Sequence, residues 1–476
     1  MTRHTFGVVA GLSGALLAAG ATQAAQPTQI QPSDRVYAAE QFSNTVSVTD
    51  PSTNRLVGLI RLGDPSPANL SPLYRGQLLV HGLGFSPDGK TLAVVSIGSN
   101  AVSFIDTATN TVKHVTYIGR SPHEAFFTPD GEELWVTVRG EDYVSVIDPV
   151  SYAEIRRIKT PAGPGMTIFS PDGRYAYICS SFNPKTVVVD VAAHEIVGEV
   201  TQPSAFCPNI AASPDGSQVW FTLKDIGKTV AFNARPPFNV LAMLDTGPIT
   251  NHVNFARTAD GQFAYVTVGG ENVVKVFRTD DFSPVATIPV GALPHGVWPS
   301  SDGSRIYVGL ENASELAVID TASNAVVTTI GVGQAPQALV YVPGAVPTGA
   351  GEENLQARPD AGSTLIRMRA SDGAEVGSTI TLYDQGLIQV MQGAVTGLTP
   401  RSPYVLALAD TPDGAGALEP IAAFTTNPAG AAIVNALGPI RQQVRADRGA
   451  SRRYLVIAPG LAAKPGAPVQ IQAAAP

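Results

Sequence analysis

The chain has 476 residues, 44% hydrophobic and 15% charged, with 46 Gly, 38 Pro, 2 Cys and a formal net charge of −8. So little charge with so much Gly excludes a coiled coil or a charge-rich disordered chain and favours many short strands joined by turns. Two cysteines cannot build a disulfide framework. The negative balance, with no Lys/Arg run longer than two, argues against nucleic acid as a partner.

At the N-terminus, Arg3 and His4 precede an apolar stretch from Phe6 to Ala19, followed by the small residues Ala21, Thr22 and Ala24. Basic, then apolar, then small is the order of a signal peptide, and the apolar run is too short to span a bilayer. Residues 1–24 are therefore expected to be removed and the mature protein to be periplasmic or secreted. No later segment is apolar for long enough to span a membrane.

From residue 34 the sequence repeats itself. The turn Ser-Pro-Asp-Gly, or a near copy, places its Asp at 88, 130, 172, 215, 260 and 302, with spacings of 42, 42, 43, 45 and 42. In this turn Pro pre-sets φ, Asp accepts from neighbouring amides and Gly takes positive φ. Runs rich in Val, Ile, Tyr and Phe flank it, four per unit, which is the content of one propeller blade. Residues 34–63 carry the second, third and fourth strands of a unit, and its missing first strand is Gln337 to Val342. Six whole units and one split unit predict seven blades over 34–342, closed by the split one.

The strings YVTV (265–268), YVGLEN (307–312), VSVIDP (144–149) and IPVGALPHGVWPSSDG (288–303) resemble the YVTN-type repeat of secreted seven-bladed propellers, the YncE-like group. The resemblance implies the fold; proteins of this shape include binding proteins, lactonases, a streptogramin lyase and the propeller of nitrous oxide reductase. Beyond the repeats, residues 343–362 are rich in Gly, Ala, Pro and Glu and are expected to be a linker. Short alternating runs at 364–368, 378–383, 387–391 and 404–409 predict a small β-sandwich-like domain over 363–460. The Ala/Pro-rich residues 461–476 are expected to be a disordered tail.

Strand order puts the loops leading into first strands, and those joining second to third strands, on one face, the top. His81, His123 and His295 each lie seven residues before the turn Asp, and His252 lies eight before. Equal repeat position means equal radius and height, so these four imidazoles should point to the axis as metal or ligand candidates, copper being one such metal. Inheritance of a channel-lining His through duplication accounts for the pattern equally well. Cys179 and Cys207 fall on the same face in neighbouring blades, as a disulfide, a buried thiol pair or thiolate ligands. The top rim adds Arg139, Lys224, Glu271 and Glu311. The long segment from Asp64 to Val80 adds Tyr74 and Arg75; Tyr74, Arg75, Arg139 and Lys224 are the ligand-binding candidates. Two functions stay open: a binding or scaffold propeller whose His-lined funnel holds a small-molecule or protein ligand or a transition metal, and a lactonase-like hydrolase or lyase using His252 or His295 with Glu271 or Glu311.

Overall fold

The computed structural model describes residue 1 and residues 29–63, 78–359, 362–385, 389–438, 444 and 452–473. The proposed signal peptide and the loop carrying Tyr74 and Arg75 lie outside them. Seven four-stranded antiparallel sheets form the ring, and the closing blade joins Pro336–Val342 to Arg35–Glu40, Thr45–Asp50 and Arg55–Arg61. Among the described residues, no helix is long and apolar enough to cross a membrane.

Each blade is fixed locally by its turn. In the first full unit, Asp88 accepts from the Ser86 hydroxyl at 2.6 Å and the Lys90 amide at 3.1 Å, while Gly89 sits at φ 71°. The Ser–Asp bond recurs at Asp172, Asp215 and Asp302. Five residues after the turn Asp stands a large aromatic in most units: Trp135, Tyr177, Trp220, Tyr265 and Tyr307, all fully buried. These side chains fill the wedges between adjacent blades, where burial of a large aromatic contributes most per residue.

The C-terminal β domain is one continuous sheet. Its order runs Glu419–Thr425, Pro403–Ala409, Tyr454–Leu461, Gln470–Gln472, Ser363–Ala370, Glu375–Asp384, Gln389–Val395 and Ala432–Gly438. The two edge strands come to lie beside each other, so the sheet curls almost to closure around Ile366, Ile380, Leu382, Leu406 and Ile457.

Two expectations need correction here. The stretch 461–476 is not a free tail throughout: Gln470–Gln472 pairs between two strands, Ile471 is buried, and the Gln470 amide donates to the Thr396 carbonyl at 2.7 Å. The alternation of Val469 and Ile471 with polar neighbours supplies an inward face that the Ala/Pro composition concealed. Nor is 343–359 a free linker. It straps the outside of the first two blades: Gln356 bridges to Leu59, and Arg35 and Asn110 donate to the Ala350 and Gly351 carbonyls at 2.7 and 3.0 Å. Gly58 makes room for it, since a Cβ there would stand 2.8 Å from the Leu355 Cβ.

Candidate functional site

The four histidines arrive at the axis by a repeated device. In each of their blades the pairing of first and second strands shifts register at the histidine, between Val80 and Leu83, Pro122 and Ala125, Thr250 and Val253, and Pro294 and Val297. A bulge adds a residue and re-aims its side chain. Just upstream, Leu79, Ser121 and Leu293 take φ of 52°, 49° and 54°, a left-handed turn that is costly for such residues. An Asn amide from the preceding blade holds each of these turns. The Oδ1 atoms of Asn44, Asn100 and Asn272 accept from the backbone amides of Leu79, Ser121 and Leu293 at 3.0, 2.9 and 2.9 Å.

The result is a chain of buried imidazoles. Ring centroids are 4.4 Å apart for His81 and His123, 6.1 Å for His81 and His295, and 4.6 Å for His252 and His295. The Nδ1 atoms of His123 and His295 lie 2.7 and 3.1 Å from the Gly165 and Gln337 carbonyls of the following blades. A carbonyl can only accept, so each Nδ1 carries the proton and each Nε2 keeps a free lone pair. Burial, reinforced by neighbouring positive or imidazole groups, holds His123 and His295 well below the usual imidazole range and His252 down at about 3. They are neutral bases at physiological pH.

Sequence reasoning missed Glu124, the buried carboxylate beside His123. It projects into space that Gly82 leaves open, where a Cβ would come within 2.7 Å of Glu124 Oε2. His81 Nδ1 and Glu124 Oε1 are 3.7 Å apart, too far for a hydrogen bond, and both are buried without a partner, as is His252 Nε2. One ligand atom from each of His81, His123 and Glu124 lies within 4.8 Å of the others. The signal for Glu124 was an acid at a first-strand position where the other copies hold Gly82, Met166, Asn209, Val253, Gly296 and Ala338.

Above the imidazoles lies a chamber of about 480 Å³. Arg139, Lys224 and Glu311 line it because all three occupy one repeat position, the first residue after a second strand. Glu271 does not belong to this set. It stands three residues past its strand, is exposed at the rim and pairs with Lys275 at 2.8 Å, so its proposed partnership with His252 or His295 is not formed. Cys179 and Cys207 are joined in a disulfide, with Cα atoms 6.0 Å apart, and this removes them as thiolate ligands.

The chamber is covered. The C-terminal domain sits on the top face, and its Thr425, Asn427 and Ala431 to Ile433 line the chamber from above. Polar contacts fix it there: Asn272 and Asn312 donate to the Gly377 carbonyl and Thr379 hydroxyl at 2.9 and 3.0 Å, and the Thr381 hydroxyl donates to the Asn312 carbonyl at 2.6 Å. Tyr383 donates to the Glu311 carbonyl and Gln392 to its carboxylate. Apolar clusters of Phe42, Ala335, Tyr383 and Val390, and of Ile249, Leu293, Ala394 and Ala431, seal the junction.

This arrangement can be set beside known proteins. Residues 117–329 match the family model "Lactonase, 7-bladed beta-propeller". The propeller is thus lactonase-like over that stretch. No curated protein matches the sequence significantly. Among solved structures, the periplasmic gluconolactonase of Pseudomonas aeruginosa is 19% identical with a TM-score of 0.52, covering 65% of this chain and 99% of that one. A functionally unknown protein from Desulfotomaculum acetoxidans is 15% identical with a TM-score of 0.54, covering 64% and 98%. Hydrazine synthase of Kuenenia stuttgartiensis is 20% identical with a TM-score of 0.50, covering 58% and 93%. At these identities the likeness is one of fold.

Proposed function

We propose that this protein is a secreted or periplasmic propeller of the YVTN, YncE-like kind that holds a divalent first-row transition ion at the axis, on His81, His123 and Glu124, for a small-molecule ligand in the chamber above. The observation that carries this reading is the buried, unpartnered pair of His81 Nδ1 and Glu124 Oε1 beside His123. Buried polar atoms in native proteins are almost always satisfied, so a missing partner at this point calls for an ion or a water. Two nitrogens and a carboxylate oxygen suit zinc, manganese or copper(II), and the thiolates that would favour copper(I) are engaged in the disulfide. The C-terminal residues that line the chamber support a small-molecule ligand over a protein one at this face.

The test is elemental analysis of protein exported to the periplasm with its own N-terminus. The expectation is about one metal per chain, reduced severalfold in each of His81→Ala, His123→Ala and Glu124→Gln. Full-length chain retained in the cytoplasm would refute the localisation, and metal-free wild type that takes up no zinc, copper or manganese on titration would refute the site.

A second reading is favoured by Glu311 sharing the chamber with His252 and His295, and by the lactonase-type match. In it an imidazole takes a proton from water, the resulting hydroxide adds to a lactone carbonyl, and the ring C–O bond opens with return of the proton to the ring oxygen. Hydrolysis of a lactone panel that His295→Ala and Glu311→Gln leave untouched would dismiss it.

A further inference from the structure

The charges lining the chamber are not equivalent. Its carboxylates are already served by neutral donors of the protein: Glu311 accepts from Gln392, and Asp225 accepts from the Ser204 hydroxyl. Among the described residues, Arg139 and Lys224 make no hydrogen bond or ion pair: the Arg139 guanidinium carbon lies 6.0 Å from the Phe182 ring centroid, and the carboxylates that act on the two cations, Glu124 on Arg139 and Glu311 on Lys224, do so without direct contact. Both are nonetheless half-buried, on blades 3 and 5, in the chamber lining that also holds the imidazoles. A cation withdrawn from water without a contacting counter-charge is costly, and a ligand that brings a negative charge into contact lowers that cost.

We propose that the chamber is built for a small organic anion, a carboxylate or a phosphate monoester, whose charged end is held by Arg139 and Lys224 while the rest lies under the C-terminal domain. The inference rests on the reading of the chamber as a ligand site, but it does not require the metal. The guanidinium can grip two anion oxygens at once, and the ammonium adds a point charge. The volume of about 480 Å³ admits metabolite-sized molecules and excludes polymers. A second cavity of about 390 Å³, lined by Phe42 and Val390 at the junction of propeller and cover, shares Glu311 and Ile433 with the chamber. Both cations and the imidazoles thus line one chamber, and the apolar lining from Ala431, Ala432 and Ile433 meets the uncharged part of the ligand.

The experiment is isothermal titration of the full mature chain with the carboxylates propionate to adipate, with glycerol phosphate and inorganic phosphate, and with the neutral amides of the same acids. Metal content is measured on the same samples. The expected result is saturable binding of one anion class, weakened by salt, with the amides silent. Binding falls about tenfold or more in Arg139→Gln and in Lys224→Met and is largely kept in Lys224→Arg. Circular dichroism and tryptophan fluorescence confirm that each variant is folded. Carboxylate binding without phosphate binding, or the reverse, assigns the source of the charge. Amides that bind as well as acids, variants that bind like wild type, or no binding by any of the anions would each overturn the proposal. Anion binding by metal-free protein would leave it standing while the metal reading fails.

Discussion

Glu40 ends the second strand of the closing blade, where it faces Pro336 on one side and Thr45 on the other, and it is completely buried. Its carboxylate accepts from the Thr45 hydroxyl at 2.7 Å and the Ser47 amide at 3.1 Å, with no Lys or Arg among these partners. Neutral donors do not offset the loss of water, and burial pushes the group from its ordinary 4.5 up to about 8. The folded protein therefore holds a proton that the unfolded chain releases. A raised folded pKa contributes stability that is fully present below pH 4.5 and is lost as pH rises through 8. At 1.36 kcal/mol per pH unit of difference, Glu40 withdraws about 4 kcal/mol of stability between roughly pH 5 and pH 9. Glu40→Gln keeps the shape and removes the titration. Guanidinium unfolding at these two pH values, followed by tryptophan fluorescence, isolates the propeller, because Trp135, Trp220 and Trp298 all lie within it. The stability of Glu40→Gln relative to wild type should rise by about 4 kcal/mol from the lower pH to the higher. Parallel profiles for the two proteins would refute the assignment of a neutral acid at the seam.

Two further perturbations test the supports of the site. The disulfide closes a separation of 28 residues between blades 4 and 5, which corresponds to about 3–4 kcal/mol of chain entropy; the double variant Cys179→Ser/Cys207→Ser should lower the guanidinium midpoint accordingly, and an unchanged midpoint would show that the link adds nothing. At Gly82 a Cβ would meet the His123 carbonyl at 2.2 Å, whereas at Gly344 nothing stands within 4 Å. Gly82→Ala should therefore cost about 1–3 kcal/mol and reduce metal uptake, while Gly344→Ala, burdened only by its φ of 62°, should cost about 1 kcal/mol and leave uptake intact.

The ring was legible because its signals are local. Ser86, Pro87, Asp88 and Gly89 encode a turn within four residues, and repetition at nearly constant spacing converts a local habit into a global architecture. The histidine layer was legible for the same reason, since a repeat position is also a radius and a height. What stayed hidden depends on contacts between distant parts. Glu271 and Glu311 both follow second strands and read alike, but a two-residue difference in loop position leaves one at the rim and carries the other into the chamber. Glu124 needs the void left by Gly82 on a neighbouring strand, and neither residue alone announces the pairing.

The cover is the extreme case. Nothing in residues 363–460 carries a His, Cys or Trp, so by composition the domain has no chemistry to contribute. Yet Gln392 and Tyr383 hold Glu311 from above, and Asn427 and Ile433 line the chamber in which, among the described residues, Arg139 and Lys224 make no hydrogen bond or ion pair. A domain without reactive groups can still decide a site's ligand by excluding water and setting its volume, because charges matter more once they are sheltered from solvent. A bare propeller would present the same imidazoles and cations to bulk water, where a small anion would gain far less from them.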